Sequence, residues 1–173
     1  MRVLVTVASR HGGTREIGAV VADGLWRAGH DVDQLEPDEV TTVTPYDAVV
    51  LGSAVYAGRL GVTLRDLIDR QAGQLRERQV WVFWSGPVGH PAVPASVPDE
   101  LDSIVRRTGA HPPQVFGGRL VPGSLNLSER ALAALVEAEY GDFRDFDLVR
   151  RWTSSIVDAL KPASGVQLHD LRS

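Results

Sequence analysis

The sequence predicts a doubly wound α/β fold, a three-layer α/β/α sandwich on a five-stranded parallel sheet in the order 2-1-3-4-5. Three observations predict it. Val3–Val7, Asp47–Leu51 and Val80–Trp84 are short, nearly continuous apolar runs, the pattern of strands covered on both faces. Segments of helical period alternate with these runs, which implies right-handed crossovers and a parallel sheet. Each of the three runs stops at a loop of small residues, and such a sheet binds ligands outside the carboxyl ends of its strands.

The elements follow in order. After the first strand, Ile17, Val20, Val21, Gly24 and Leu25 recur on one helical face, with Gly29 as the stop. Asp31–Leu35 gives a short second strand, and Asp47–Leu51 a third that ends at Gly52-Ser53. Thr63 caps a second helix with Asp66 as its capping-box partner, and Leu64, Leu67, Ile68 and Leu75 form the buried stripe. The fourth strand, Val80–Trp84, stops at Ser85-Gly86-Pro87. Ser96 with Asp99 caps a third helix through Leu101, Ile104 and Val105, which Gly109 ends. Gln114–Leu120 gives a fifth strand, weakened by Gly117-Gly118. Ser128–Tyr140 reads as a helix ended by Gly141, and Asp142 with Asp145 caps a last helix through Leu148, Trp152, Ile156 and Leu160. Residues 1–161 are expected to form one domain, with 121–143 an extra helical insertion beside the ligand edge and 162–173 a frayed tail. Such an insertion serves as a lid or as an oligomer surface, so a homodimer is one expectation.

Composition bounds the function. The 173 residues suit one domain, and 43% apolar with 23% charged residues is ordinary for a globular chain. With no cysteine there is no disulfide scaffold, thiolate metal site or cysteine nucleophile. A formal net charge of −4 argues against nucleic acid and anionic membranes as partners. Lys161 is the only lysine beside seventeen arginines, a bias best read as GC-rich coding. No apolar run approaches the ~20 residues of a membrane span. The chain enters a strand at once, without the apolar core of a signal peptide, so a cytoplasmic protein is expected.

Function narrows to what three loops can hold. Ser9, Arg10, His11, Gly12, Gly13 and Thr14 lie between the first strand and its helix. Two glycines let amides turn inward, hydroxyls add donors, and the helix contributes the positive end of its dipole. The loop is thus a candidate phosphate site, although an ordinary glycine turn and helix cap has the same letters. It matches neither a Walker A loop nor the dinucleotide pattern. Ser53, Ala54, Val55, Tyr56, Ala57 and Gly58 form the second loop, where small residues admit a flat ring and Tyr56 can cover one face or simply pack under the next helix. Ser85, Gly86, Pro87, Val88 and Gly89 form the third. Three such loops at one sheet edge point to a shared ligand, a phosphate-bearing planar molecule.

The opening Val-Leu-Val-Thr-Val-Ala-Ser-Arg-His-Gly-Gly-Thr-Arg-Glu-Ile-Gly resembles the FMN phosphate loop of flavodoxins, Ser/Thr-x-x-Gly-x-Thr. In detail it is most similar to the flavodoxin-like proteins grouped with menaquinone-dependent protoporphyrinogen oxidase. The resemblance covers about residues 1–120 and implies a flavodoxin-like fold with FMN as cofactor. It assigns Ser9 to Thr14 to the phosphate and Ser53 to Gly58 and Ser85 to Gly89 to the flavin ring. Two departures stand out: Tyr56 replaces the tryptophan that stacks on the ring in many flavodoxins, and the third loop lacks their aromatic and acidic residues.

The resemblance implies that the flavin carries the chemistry, so no catalytic side chain is assigned. Arg10, Arg15 and Arg59 bias the site toward an anion, or are solvated helix-end arginines. His11 is a candidate phosphate donor and His90 a candidate substrate contact. His30, His111 and His169 are scattered without metal-ligand spacing, and no metal site is expected. A response-regulator receiver needs acidic residues where Ala8-Ser9 and Gly52-Ser53 stand, and no Gly-x-Ser-x-Gly elbow is present. The expected function is an FMN-binding oxidoreductase or electron-transfer protein, with a redox partner or a small electron acceptor such as a quinone. A protoporphyrinogen oxidase-like enzyme and a cofactor-free flavodoxin-like binding module are the alternatives.

Overall fold

Alternate residues of a strand point to opposite faces, so a strand apolar at every position feeds two cores. The computed structural model describes residues 1–90, 92 and 97–162. In chain order the elements are β1 (Arg2–Ala8), α1 (Gly13–Arg27), β2 (Asp31–Leu35), β3 (Ala48–Tyr56), β4 (Arg59–Leu60), α2 (Val62–Leu75) and β5 (Gln79–Ser85). They continue with α3 (Glu100–Thr108), β6 (Gln114–Phe116), β7 (Arg119–Leu120), a single 3₁₀ turn (Pro122–Ser124), α4 (Leu127–Leu135), β8 (Gly141–Asp142) and α5 (Phe146–Leu160). Val3, Val5 and Val7 of β1 face a core shared with Ile17 and Leu25 of α1 and with Val149 and Ile156 of α5. Leu4 faces the other core, with Leu64 and Leu67 of α2 and Leu101 and Ile104 of α3. Trp81 and Phe83 of β5 belong to the first core, Val80, Val82 and Trp84 to the second. Trp152 is a packing residue, edge-on to Phe83 and Phe116 at 5.7 and 5.6 Å.

The sheet runs β2-β1-β3-β5-β6, with parallel neighbours along this path. Only the two-residue β4 is added, as an antiparallel partner of β3, so the order is the expected 2-1-3-4-5 of a flavodoxin-like sandwich. The strand order changes direction at β1 and β3, and the carboxyl ends of β1, β3 and β5 lie side by side. No helix among the described residues is long and apolar enough to cross a membrane.

Several local expectations are corrected. The fifth strand is split: Gln114–Phe116 joins the sheet, while Arg119–Leu120 pairs with β8 instead. Gly117 lies at the break, where an added Cβ would fall 2.0 Å from the Phe143 carbonyl oxygen. Helix α2 begins at Val62 after Gly61 with no side-chain cap, so Thr63 and Asp66 form no capping box. Helix α4 starts after Asn126 and ends at Leu135, well before Gly141. Its end is a Schellman closure: the N–H groups of Glu137 and Ala138 reach the Ala134 and Ala133 carbonyls at 3.2 and 2.8 Å, with Glu137 at φ 52°. Asp145 caps α5 by accepting the Leu148 N–H at 2.9 Å, whereas Asp142 lies in β8. Ser96, His169 and the tail from 163 onward lie outside the described residues.

Candidate functional site

The first loop is set by how α1 begins. Gly12 is the residue before the helix and sits at φ 81°, a left-handed conformation that costs L side chains about 1–2 kcal/mol. An added Cβ there meets nothing within 4 Å, so backbone conformation and not crowding requires glycine. The first helical bond runs from Glu16 N–H to the Gly12 carbonyl at 3.1 Å. The amides of Gly13, Thr14 and Arg15 therefore have no intrahelical acceptor, at the positive end of the helix dipole. Those are the groups that seat an anion.

Side chains tie this loop to the other two. Thr14 Oγ1 lies 2.7 Å from Ser85 Oγ in a buried hydroxyl pair. The Arg10 backbone N–H donates to Tyr56 Oη at 3.0 Å, and the Arg10 guanidinium lies 4.7 Å from the centre of the same ring. The His11 ring meets Tyr56 edge-on at 6.1 Å. Burial pushes the Tyr56 hydroxyl above its ordinary pKa, opposed by the Arg10 N–H.

The second loop is mostly strand, because β3 continues to Tyr56. Only Ala57 (φ 49°) and Gly58 (φ 75°) turn the chain back into β4, as the two-residue hairpin turn with both φ positive. The third loop leaves β5 and is pinned where Pro87 C=O accepts the Gly118 N–H at 2.7 Å. Gly118 C=O in turn accepts the Phe143 N–H at 2.9 Å, which joins the third loop to the chain before α5.

A cavity of about 680 Å³ opens between the three loops, within the ~300–1,000 Å³ of small-molecule sites. Ser9, Arg10, His11, Gly13 and Thr14 line it from the first loop, and Ala54, Val55, Tyr56, Ala57 and Gly58 from the second. Ser85, Gly86 and Val88 line it from the third. Gly12, Ser53, Pro87 and Gly89 do not line it, for separate reasons. Gly12 is spent on the helix cap, and Gly89 turns the chain at φ 81°. Ser53 is fully buried, donating to Ala54 C=O and accepting the Gly61 N–H, both at 2.7 Å. Pro87 is engaged with Gly118.

The far wall comes from the 121–143 insertion expected beside the ligand edge, although none of its individual lining residues was singled out by the sequence. Between β7 and β8 the chain makes an excursion from which Leu125, Leu132, Ala133 and Val136 face the cavity. Glu129 on α4 also reaches it. Its Oε1 accepts from Arg10 Nη1 at 2.9 Å and lies 3.1 Å from His11 Nε2. Its Oε2 accepts the Asn126 N–H at 2.9 Å, while Asn126 Oδ1 accepts the Glu129 N–H at 2.9 Å, a complete capping box. The Asn126 N–H first, then Arg10, hold the Glu129 carboxyl down at about 2. Asn-Leu-Ser-Glu at 126–129 has the spacing of a helix start and was the available signal.

Arg144 was also missed. Its buried guanidinium donates to both Asp142 oxygens at 2.8 and 2.7 Å, to Glu16 Oε2 at 2.6 Å and to Gly13 C=O at 3.2 Å. Asp142 and then Glu16 raise the Arg144 pKa, and both carboxyls are held low in return. Arg119, which lines the cavity, adds a 3.3 Å contact to Glu16. Of the remaining candidates, Arg15 pairs with Glu36 and Arg59 with Glu100. His90 donates its backbone N–H to Glu139 Oε2 at 3.3 Å, and His111 stacks on Trp81 at 4.6 Å.

A family model for the flavodoxin domain matches residues 4–147. The chain belongs to the flavodoxin domain family. Membership implies FMN as cofactor. Oxidised flavodoxin 1 from Bacillus cereus is similar over 93% of this chain and 100% of its own, at 14% identity and a TM-score of 0.63. Flavodoxin 2 from Bacillus cereus is similar over 92% of this chain and 99% of its own, at 18% identity and a TM-score of 0.62. Rubredoxin oxygen:oxidoreductase from Desulfovibrio gigas is similar over 91% of this chain but 35% of its own, at 12% identity and a TM-score of 0.63. At these identities the likeness shows the fold. Among curated proteins, none matches the chain significantly. The residues of this flavodoxin domain fit the implied group: helix-start amides of Gly13, Thr14 and Arg15 suit a phosphate, and the cavity beside Tyr56 suits a planar ring.

Proposed function

We propose that this chain is a cytoplasmic FMN flavoprotein that passes electrons through the flavin ring to and from a redox partner. The observation that carries the reading is the convergence of three loops on one cavity, with the amide-rich start of α1 at one end. Amides of Gly13, Thr14 and Arg15 with the Ser9 hydroxyl are assigned to the phosphate. Tyr56, the Ala57–Gly58 turn and Val88 are assigned to the ring. When bound, the flavin accepts and returns electrons or hydride; the protein supplies orientation and electrostatics. Arg10 and Arg119 line the cavity as the ion-paired partners of Glu129 and Glu16, so the helix-start amides carry the phosphate, and Leu125, Leu132 and Val136 give the opposite side an apolar wall. The test is to add FMN to the purified chain, reduce it chemically, and follow reoxidation by a one-electron acceptor. Absence of any flavin uptake would leave the cofactor-free module in its place.

A second reading is favoured by the apolar far wall. An apolar substrate accommodated against Leu132 and Val136 would make the chain an oxidase with a quinone acceptor, in line with the protoporphyrinogen oxidase-like resemblance. Turnover of protoporphyrinogen with a menaquinone analogue would select this reading over a carrier.

A further inference from the structure

Residues 121–140 leave the fold and return through a single antiparallel pair, Arg119 with Asp142 and Leu120 with Gly141. What passes through that narrow base is α4 with its flanking turns. The helix is thinly rooted: Ala133 is its buried residue, while Leu127 and Leu135 are 84% and 81% exposed. Yet its Leu132, Ala133 and Val136 wall the cavity. Two carboxylates tie the excursion to the loops at the sheet edge. Glu129 holds Arg10 and His11 of the first loop, and Glu139 accepts the His90 N–H beside the third. The Glu129 and His11 side chains are 15% and 25% exposed, whereas the charged Arg10 partner is 59% exposed, so the latch is buried at its carboxylate end and hydrated at its guanidinium end.

We propose that 121–140 is a hinged lid over the FMN site, with the β7–β8 pair as hinge and Glu129 with Arg10 and His11 as latch. The proposal rests on the FMN reading above. The cavity exists with the latch closed and α4 walls one side of it, so in this proposal the lid covers a bound flavin and swings aside as the flavin enters or leaves. Opening breaks the charge-assisted contacts of Glu129 and leaves the sheet, α1 and α5 intact. The latch therefore governs exchange rates for flavins with and without a phosphate alike. A carboxylate that merely competed with the phosphate would affect FMN alone.

Glu129→Gln tests this cleanly, because glutamine still completes a capping box but carries no charge. FMN and riboflavin dissociation rates, measured by displacement, are expected to rise about five- to tenfold together. In the flavin-free chain, amide exchange in α4 and trypsin cleavage after Arg130 are expected to accelerate, with α1 and α5 unchanged. Unaltered α4 protection overturns the latch, as do unaltered release rates. Slower FMN release with riboflavin unchanged also overturns it, by making Glu129 a competitor of the phosphate. A parent chain that takes up no flavin overturns the FMN reading instead, and α4 protection in the flavin-free chain still decides whether Glu129 holds the lid.

Discussion

Thr14 Oγ1 and Ser85 Oγ stand 2.7 Å apart, buried between the first and third loops. Each satisfies the other, so the two loops are held in register from below. Thr14→Ala leaves the Ser85 hydroxyl buried without its partner and is expected to destabilise the fold by about 1–2 kcal/mol. Ser85→Ala should cost a similar amount. The double variant should cost less than the sum of the two, because no orphan hydroxyl remains. Denaturant unfolding of the four proteins measures this coupling.

Gly12 separates conformation from space. Gly12→Val should lose about 1–2 kcal/mol or more through the left-handed backbone, and Gly12→Asn distinctly less. Crowding adds nothing, since the space around a Cβ is open. Urea midpoints that rank glycine, asparagine and valine in that order fit the account, and equal midpoints contradict it.

Arg144 joins the start of α1 to the chain before α5. Its side chain is 5% exposed, whereas Asp142 and Glu16 are about half exposed and can rehydrate when it is removed. Arg144→Met is therefore expected to cost about 2 kcal/mol and not the larger sum of its bonds. Arg144→Lys should recover little, because an ammonium cannot span both carboxylates and the Gly13 carbonyl in a planar fork. Thermal unfolding of both variants checks this.

The parts of the molecule set by local pattern were legible in the sequence. Val3–Val7 and Val80–Trp84 announced doubly covered strands, and Gly109 ended α3 at φ 70°. The glycine-rich edge loops pointed to the right end of the sheet. What stayed hidden depends on residues far apart in sequence. Gly117-Gly118 looked like a weak strand centre, yet it marks where Phe143 closes on the chain. Glu129 falls inside the expected Ser128–Tyr140 helix, but only the folding of α4 brings it to Arg10 and His11, more than a hundred positions away. Glu137 ended α4 in a conformation usually left to glycine, and no local signal marked it.

Acid should loosen the start of α4, through its capping box first and its hold on Arg10 second. The folded chain holds the Glu129 carboxyl at about 2, below its ordinary 4.5. Its ionised form therefore stabilises the folded state, fully so above about pH 4.5, and the contribution is lost as the pH falls through about 2. Amide exchange in α4, corrected for the intrinsic pH dependence, is expected to rise across that window in the parent chain. Glu129→Gln should show no such rise.

Paired equilibrium titrations of FMN and riboflavin decide whether the start of α1 holds the phosphate of a flavin nucleotide. FMN is expected to bind about a hundredfold more tightly than riboflavin, the worth of charge-assisted bonds from helix-start amides. Equal affinity for the two flavins, or no uptake of either, would contradict it.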